Sequence, residues 1–304
     1  MIGFDAVGGV FQLSPHDKKH RRKRQRAAFR HAVFTRGAVR LSGGRLARPR
    51  PGKDFAVNQR VIDLPRLPDE LCGLTITHLS DLHVGELVTP AHLPYIVEAA
   101  NALESDLIAV TGDFVDFSNV YLPAIIKAME QLTAPLGVYF VLGNHDFLDN
   151  GQQVADAFLK AGLNLLLNNT VDLEHYEKRI TVGGINWADK HTQIARDVRA
   201  TVNQMPKADL RLLLAHHPHA FDAARRRGVD LTLSGHTHGG QVLLSNKRGK
   251  KGSIGLANFG FRYTRGLYQH GDSRLFVSSG VGSWFPLRIR CPAEITRLEL
   301  QSRY

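Results

Sequence analysis

The sequence predicts a layered α/β domain on two observations. Short apolar, β-branched runs alternate with segments of helical periodicity from about residue 61 onwards, and each apolar run stops at a cluster of polar residues. A third observation, the partition of charge, separates that domain from what precedes it. The 304 residues carry a formal net charge of +11 and are 43% hydrophobic, enough for a sizeable core. Residues 1–60 hold 15 Lys and Arg against three acids, Asp5, Asp17 and Asp54, whereas residues 61–304 hold 24 basic and 25 acidic side chains. The basic character belongs to the leading segment, and the near-neutral body weighs against nucleic acid as a partner.

Taken in order, residues 1–60 are rich in Arg, Lys and Gly without sustained apolar periodicity, and read as a largely disordered basic tail. Order is expected from Val61, making 61–304 one domain. A strand covers Leu74 to Leu79 and ends at Ser80-Asp81. A helix follows at about 90–103, a buried strand at Leu107–Thr111, a helix at about 119–132 and a strand at Val138–Leu142. Beyond a helix near 151–161 come strands at about 164–171 and 179–185, a helix near 191–203 and a strand at Leu210–Ala215. A helix to about Arg227 and a strand at Asp230–Ser234 precede a Gly-punctuated stretch of strand and turn. There is no internal repeat. No run of 18 apolar residues offers a membrane-spanning helix, and no apolar stretch follows Arg21-Arg22 as an export signal requires. Cys72 and Cys291 fit neither a disulfide framework nor a zinc knuckle and read as buried free thiols.

The polar clusters carry the chemistry: Asp81-Leu82-His83, Gly112-Asp113-Phe114-Val115-Asp116, Gly143-Asn144-His145-Asp146, His216-His217-Pro218 and Gly235-His236-Thr237-His238-Gly239-Gly240. Singly, an Asp-x-His at a strand end reads as a capped turn. As a set, clusters at the carboxyl ends of successive α/β strands converge on one crevice. Carboxylate oxygen mixed with imidazole nitrogen suits divalent Mn, Fe, Zn or Co. Asp113 stands at the tip of a buried strand. His236 and His238 lie two apart, which in extended backbone turns both side chains to one side. Asn144 offers a neutral oxygen, Asp116 and Asp146 stand where they orient the ligands by hydrogen bonding, and His217, beside His216, is expected to point away.

These five blocks resemble the signature of the calcineurin-like metallophosphoesterase superfamily, and the C-terminal Gly266-Leu267-Tyr268, Gly280-Val281-Gly282, Pro286-Leu287-Arg288 and Pro292-Ala293-Glu294-Ile295 are similar to its bacterial cell-envelope branch. The resemblance implies an αββα sandwich over residues 61–304. It also implies one ion on Asp81, His83, Asp113 and His238 and a second on Asp113, Asn144, His216 and His236, with His145 facing the substrate. The expected reaction is in-line attack on phosphorus by a hydroxide shared between two divalent ions, with His145 stabilising or protonating the leaving oxygen. Envelope relatives point to a phosphodiester or pyrophosphate substrate, including lipid-linked ones such as UDP-diacylglucosamine. A nuclease is the alternative within enzymes, and a non-catalytic interaction module on the same fold is the alternative outside them. Against the module, every expected ligand position is filled.

Two peripheral expectations complete the reading. Lys247 and Arg248 follow the His236–Gln241 segment closely enough to overhang the same mouth and contact an anionic substrate, and the resemblance brings Arg288 there too. Lys18 to Arg30 holds eight basic residues, with Ala28, Phe29, Ala32 and Val33 at helical spacing. Such a segment can attach to an anionic membrane surface through residues 15–40, so a cytoplasmic protein, or one peripheral on the cytoplasmic membrane face, is expected.

Overall fold

A computed structural model describes residues 55–241, 261–283 and 286–302, together with short pieces between 24 and 41. Twelve described strands form two six-stranded sheets. In the first, β1 (Phe55–Asp63), β2 (Thr75–Leu79), β3 (Leu107–Thr111), β4 (Val138–Val141), β5 (Asn164–Leu165) and β12 (Ala293–Gln301) lie in the order β1-β12-β2-β3-β4-β5. In the second, β6 (Asn169–His175), β7 (Lys178–Ile185), β8 (Leu210–Ala215), β9 (Leu231–Ser234), β10 (Gly266–His270) and β11 (Ser273–Val277) lie in the order β10-β11-β9-β8-β7-β6. The sheets face each other across a shared apolar interior in which Ile76, Ala109, Tyr139 and Val141 meet Val182, Leu212, Leu214 and Leu233. Residues buried on both faces of a sheet read as unbroken apolar runs, and β2 and β3 are buried at every position.

Helices cover the outer faces. Against the first sheet, α1 (Leu93–Asn101) buries Leu93, Ile96, Val97 and Ala100, a spacing that places all four on one helical face. The same periodicity puts Leu122, Ile125 and Met129 of α2 (Leu122–Met129) and Val154 and Phe158 of α3 (Gly151–Lys160) onto that sheet. The Asn150 side chain starts α3 by accepting the Gln153 N–H at 3.1 Å. Against the second sheet, α4 (His191–Gln204) buries Ile194, Val198 and Val202 beside α5 (Ala220–Ala224). The result is the expected αββα sandwich.

Two expectations need correction. Strand β1 begins at Phe55, ahead of the expected Val61, because it pairs in parallel with β12 along its whole length, Phe55 with Ala293 through Asp63 with Gln301. As an edge strand it buries only Ile62 and shows little apolar periodicity. Both cysteines are free, but Cys72 is exposed while Cys291 is buried. The segment 15–40 falls largely outside the described residues, and Lys247 and Arg248 fall outside them entirely. No described helix is long and apolar enough to cross a membrane.

Behind the strand ends, Phe158 packs its ring 4.6 Å from Phe114 and 5.4 Å from Phe140, centroid to centroid, with no exposed surface. Phe158→Ala should destabilise the fold by about 3–5 kcal/mol, read from the shift in denaturant midpoint. A cost below about 1 kcal/mol would mean that this aromatic cluster does not hold α3 to the sheet.

Candidate metal centre

Strands β2, β3 and β4 run parallel to one another in the first sheet, as do β8 and β9 in the second. Their carboxyl ends therefore meet along one edge, and the loops leaving them bring together Asp81, His83, Asp113, Asn144, His145, His216, His236 and His238. Two cross-connections lock the sheets together there: His216 Nδ1 donates to the Thr111 carbonyl at 2.7 Å, and the His236 N–H reaches the Asp81 carboxylate at 3.1 Å.

The donors fall into two groups sharing one atom. Asp113 Oδ2 lies 3.4 Å from His83 Nε2 and 3.2 Å from His216 Nε2. On one side, His83 Nε2 is 3.0 Å from His238 Nε2, which is 3.5 Å from Asp81 Oδ1. On the other, Asn144 Oδ1 is 2.7 Å from His236 Nδ1 and 3.2 Å from His216 Nε2, and those two nitrogens are 3.2 Å apart. Donors held about 2.0–2.2 Å from one ion sit about 3.0–3.5 Å from each other, which is the spacing of every pair above except Asn144 with His236. Among the described residues, the His/Asp sets able to hold an ion include Asp81–His83–His238 and Asp113–His216–His236. Nitrogens as close as those of His83 and His238, buried beside two carboxylates, fit a cation between them.

The backbone is bent to achieve this. Asp81, His83, Asp113, His236 and His238 all have positive φ, from +48° to +73°, a left-handed conformation that costs about 1–2 kcal/mol at a residue with a side chain. His236 and His238 are thus not extended, as their spacing had implied. One segment does face both donor groups, but through left-handed turns. Glycine is required where these loops touch: a Cβ on Gly235 would lie 1.7 Å from Ser80 Oγ, and one on Gly143 would lie 2.2 Å from Asp113 Oδ1.

The surrounding carboxylates act on the frame. Asp146 accepts the N–H groups of Gly143, Asp113, Phe114 and Val115 at 2.8–3.2 Å, so it holds the two ligand loops by their backbone and touches no imidazole. Asp116 stands 3.6 Å from His83 Nδ1, and its carbonyl accepts a short hydrogen bond from His145 Nδ1. That bond leaves His145 Nε2 on a ring still 23% exposed at the mouth. The donors of Arg288 go to Ser283 Oγ and to the carbonyls of Ser279, Gly282 and Cys291 at 2.5–3.2 Å, with Nη2 3.4 Å from His238 Nδ1. It ties the Gly280–Gly282 loop to the site. Sequence reasoning missed Ser80, whose hydroxyl donates to Asp81 Oδ2 at 2.5 Å, and its place beside Asp81 was the available signal. It also missed the aromatic wall: Trp187 lies 5.3 Å and Phe261 5.4 Å from the His236 ring, and His217 stacks on that ring at 4.7 Å.

Charge in the centre is unbalanced in a telling way. Burial opposes ionisation of Asp81 and Asp113, yet the neighbouring histidines outweigh it and hold both carboxyls well below the usual range. Burial likewise opposes charge on His83 and His216, yet Asp116, Asp81 and Asp113 raise His83 to about 10, and Asp113 and Asp81 raise His216 to about 9. Burial pushes His236 down to about 3 and, with Asp113 beside it, pushes Asp146 up to about 7. In the chain alone, protons on His83 and His216 offset the two carboxylates, and divalent ions would do the same more completely.

The fold and site define an αββα sandwich with Asp, Asn and His donors gathered at its joined strand ends. The chain belongs to the calcineurin-like phosphoesterase family, whose model matches residues 74–240. It is 31% identical over 265 residues to an uncharacterized metallophosphoesterase of Helicobacter pylori, covering 84% of this chain and 65% of that one. It is 30% identical over 291 residues to the uncharacterized metallophosphoesterase YkuE of Bacillus subtilis, covering 92% and 99%. A Danio rerio transmembrane protein with a metallophosphoesterase domain is 31% identical over 79% of this chain and 56% of its own length. This chain thus spans only 65% of the length of the Helicobacter relative.

Protonated His83 and His216 must release their protons to an entering ion. Loading the chelated protein at pH 7 should therefore acidify a weakly buffered solution by up to about two protons per chain, and metal affinity should rise from pH 6 to 9. Because these pKa values lie above the ordinary histidine value, their stabilisation of the metal-free chain is complete below about pH 6.5 and lost as pH rises through about 9–10. Thermal melts of chelated protein should follow that slope. A pH-independent affinity would contradict this placement of the two imidazoles.

Proposed function

We propose that this protein hydrolyses a phosphodiester or pyrophosphate with two divalent ions. The observation that carries the reading is Asp113 Oδ2, within 3.4 Å of a donor in each group. Asp81, His83, Asp113 and His238 would hold one ion, and Asp113, Asn144, His216 and His236 the other. When bound, such a pair acidifies water and neutralises charge developing on phosphorus. The chain supplies the rest. Asp146 and Ser80 keep the carboxylates aimed inwards. Burial lowers the His145 pKa from its ordinary value, and its Nδ1 is committed to the Asp116 carbonyl. A proton reaching Nε2 can be passed to the leaving oxygen. The wall of Trp187, His217 and Phe261 beside His236 favours a substrate with a second, planar or apolar substituent on phosphorus. Diesters and lipid-linked pyrophosphates such as UDP-diacylglucosamine have one, and simple monoesters do not.

Asp113→Asn should abolish turnover and lower bound metal. His145→Ala should retain metal while slowing turnover by about 10²- to 10⁴-fold. Both are read from metal content and steady-state rates on a panel of aryl monoester, aryl diester and lipid-linked pyrophosphate. Full activity with both ions in Asp113→Asn would end the dinuclear assignment, and preference for the monoester would end the substrate assignment.

The basic cluster from Lys18 to Arg30 supports attachment to an anionic membrane surface through residues 15–40. The full chain should co-sediment with anionic vesicles at low salt and be released at high salt. Replacing Arg21, Arg22, Lys23 and Arg24 with Gln should weaken that binding, and unchanged binding would exclude this segment.

A further inference from the structure

Next to the metal centre lies a second convergence of nitrogen donors that the proposed reaction does not use. His191 opens α4, and His217 and His219 lie in the loop between β8 and α5. One ring nitrogen from each of the three lies within 4.8 Å of the other two. His217 Nδ1 and His219 Nδ1 are 3.2 Å apart, about the separation of two ligands on one tetrahedral ion. The rings of His191 and His219 stack at 4.1 Å and 19°, and His191 meets His217 at 5.2 Å and 70°. The group is graded in exposure: His217 is buried, His219 half-buried and His191 exposed. It opens onto a cleft of about 470 Å³ lined by His191, His219, Arg199, Asp222, Arg226 and Arg227. The His217 ring, stacked on His236, separates this group from the strand-end donors.

We propose that His191, His217 and His219 form a third metal site, distinct from the strand-end pair, which takes a borderline transition-metal ion such as zinc or copper. Three imidazoles and no carboxylate exclude magnesium and calcium, which take oxygen. Three protein ligands leave a fourth position open, and it faces the cleft. The charges there decide what fills it. Arg199, Arg226 and Arg227 oppose another cation but favour an anion, and Asp222 is engaged by Arg225, Arg262 and Tyr263. The open position therefore suits an anionic ligand. In the chain alone His217 Nδ1 accepts the His219 N–H at 3.2 Å, a long contact that the ion would displace.

The test is zinc per chain, measured by mass spectrometry on full-length protein that has been chelated, reloaded with excess zinc and desalted. His191→Ala and His219→Gln should each bind one equivalent less than the unaltered chain, with unchanged far-ultraviolet circular dichroism. That difference is read whatever total the strand-end donors hold. Asp113→Asn should lose strand-end zinc yet still show the one-equivalent drop when combined with His191→Ala. Magnesium loading should show no difference between the unaltered chain and His191→Ala. Equal zinc in the unaltered chain and both single variants overturns the proposal, as does a drop of two or more equivalents, which would make these histidines part of the strand-end centre. His191 is exposed at the start of its helix, so its variant keeps the test available if His219→Gln folds poorly.

Discussion

Two carboxylates, Asp81 and Asp113, are buried almost without solvent contact at the meeting edge of two sheets. An uncompensated buried carboxylate is far too costly to keep ionised, so everything around this pair supplies positive charge or hydrogen-bond donors. The histidines arrive from four loops. The His236 N–H and the Ser80 hydroxyl serve Asp81, and the His145 N–H serves Asp113 at 2.7 Å. This requirement accounts for the left-handed backbone at five of the donor residues. Relaxed loops would let those side chains reach solvent, where the carboxylates would need no partner and the site would not be assembled.

Strain of that kind persists only where the surroundings over-determine the conformation. Here they do so at three levels. Asp146 gathers four backbone N–H groups from the loops after β3 and β4. Phe114, next to Asp113, is fixed from behind by Phe140 and Phe158. The parallel central strands of both sheets bring their carboxyl ends to one edge. Arg288 extends the frame to the C-terminal part of the chain, using its guanidinium on carbonyls and standing beside His238.

The two flanks of the centre differ in chemistry. Towards β2 and β3 the neighbours are carboxylates and backbone amides, which tune charge. Towards β8 and α4 they are rings: Trp187, His217, His219, His191 and Phe261. Burial and the surrounding histidines drive His217 down to about 2, so that flank stays neutral in its interior while arginines supply charge at its rim.

Much of this was legible in the residues. Apolar runs at Leu107–Thr111 and Leu210–Ala215 and helical spacing in α1 and α3 depend on neighbours in sequence, so they located the elements. The donor residues were legible because each follows directly on such a run. What stayed hidden depends on contacts between distant segments. Strand β1 looked like part of a polar tail because its partner is β12, more than 200 residues away. Resemblance alone brought Arg288 to the mouth, and its bonds to the carbonyls of Ser279, Gly282 and Cys291 depend on chain segments that only the fold brings together. The meeting of His217 with His191 and His219 was hidden, since adjacency to His216 carries no information about them. The sequence by itself determined the order of elements and the kinds of donor at each strand end, because these are local properties of periodicity and residue chemistry. The tertiary structure alone decided which donors come within reach of one another, which loops take left-handed turns and which histidines meet, because those follow from packing two sheets face to face.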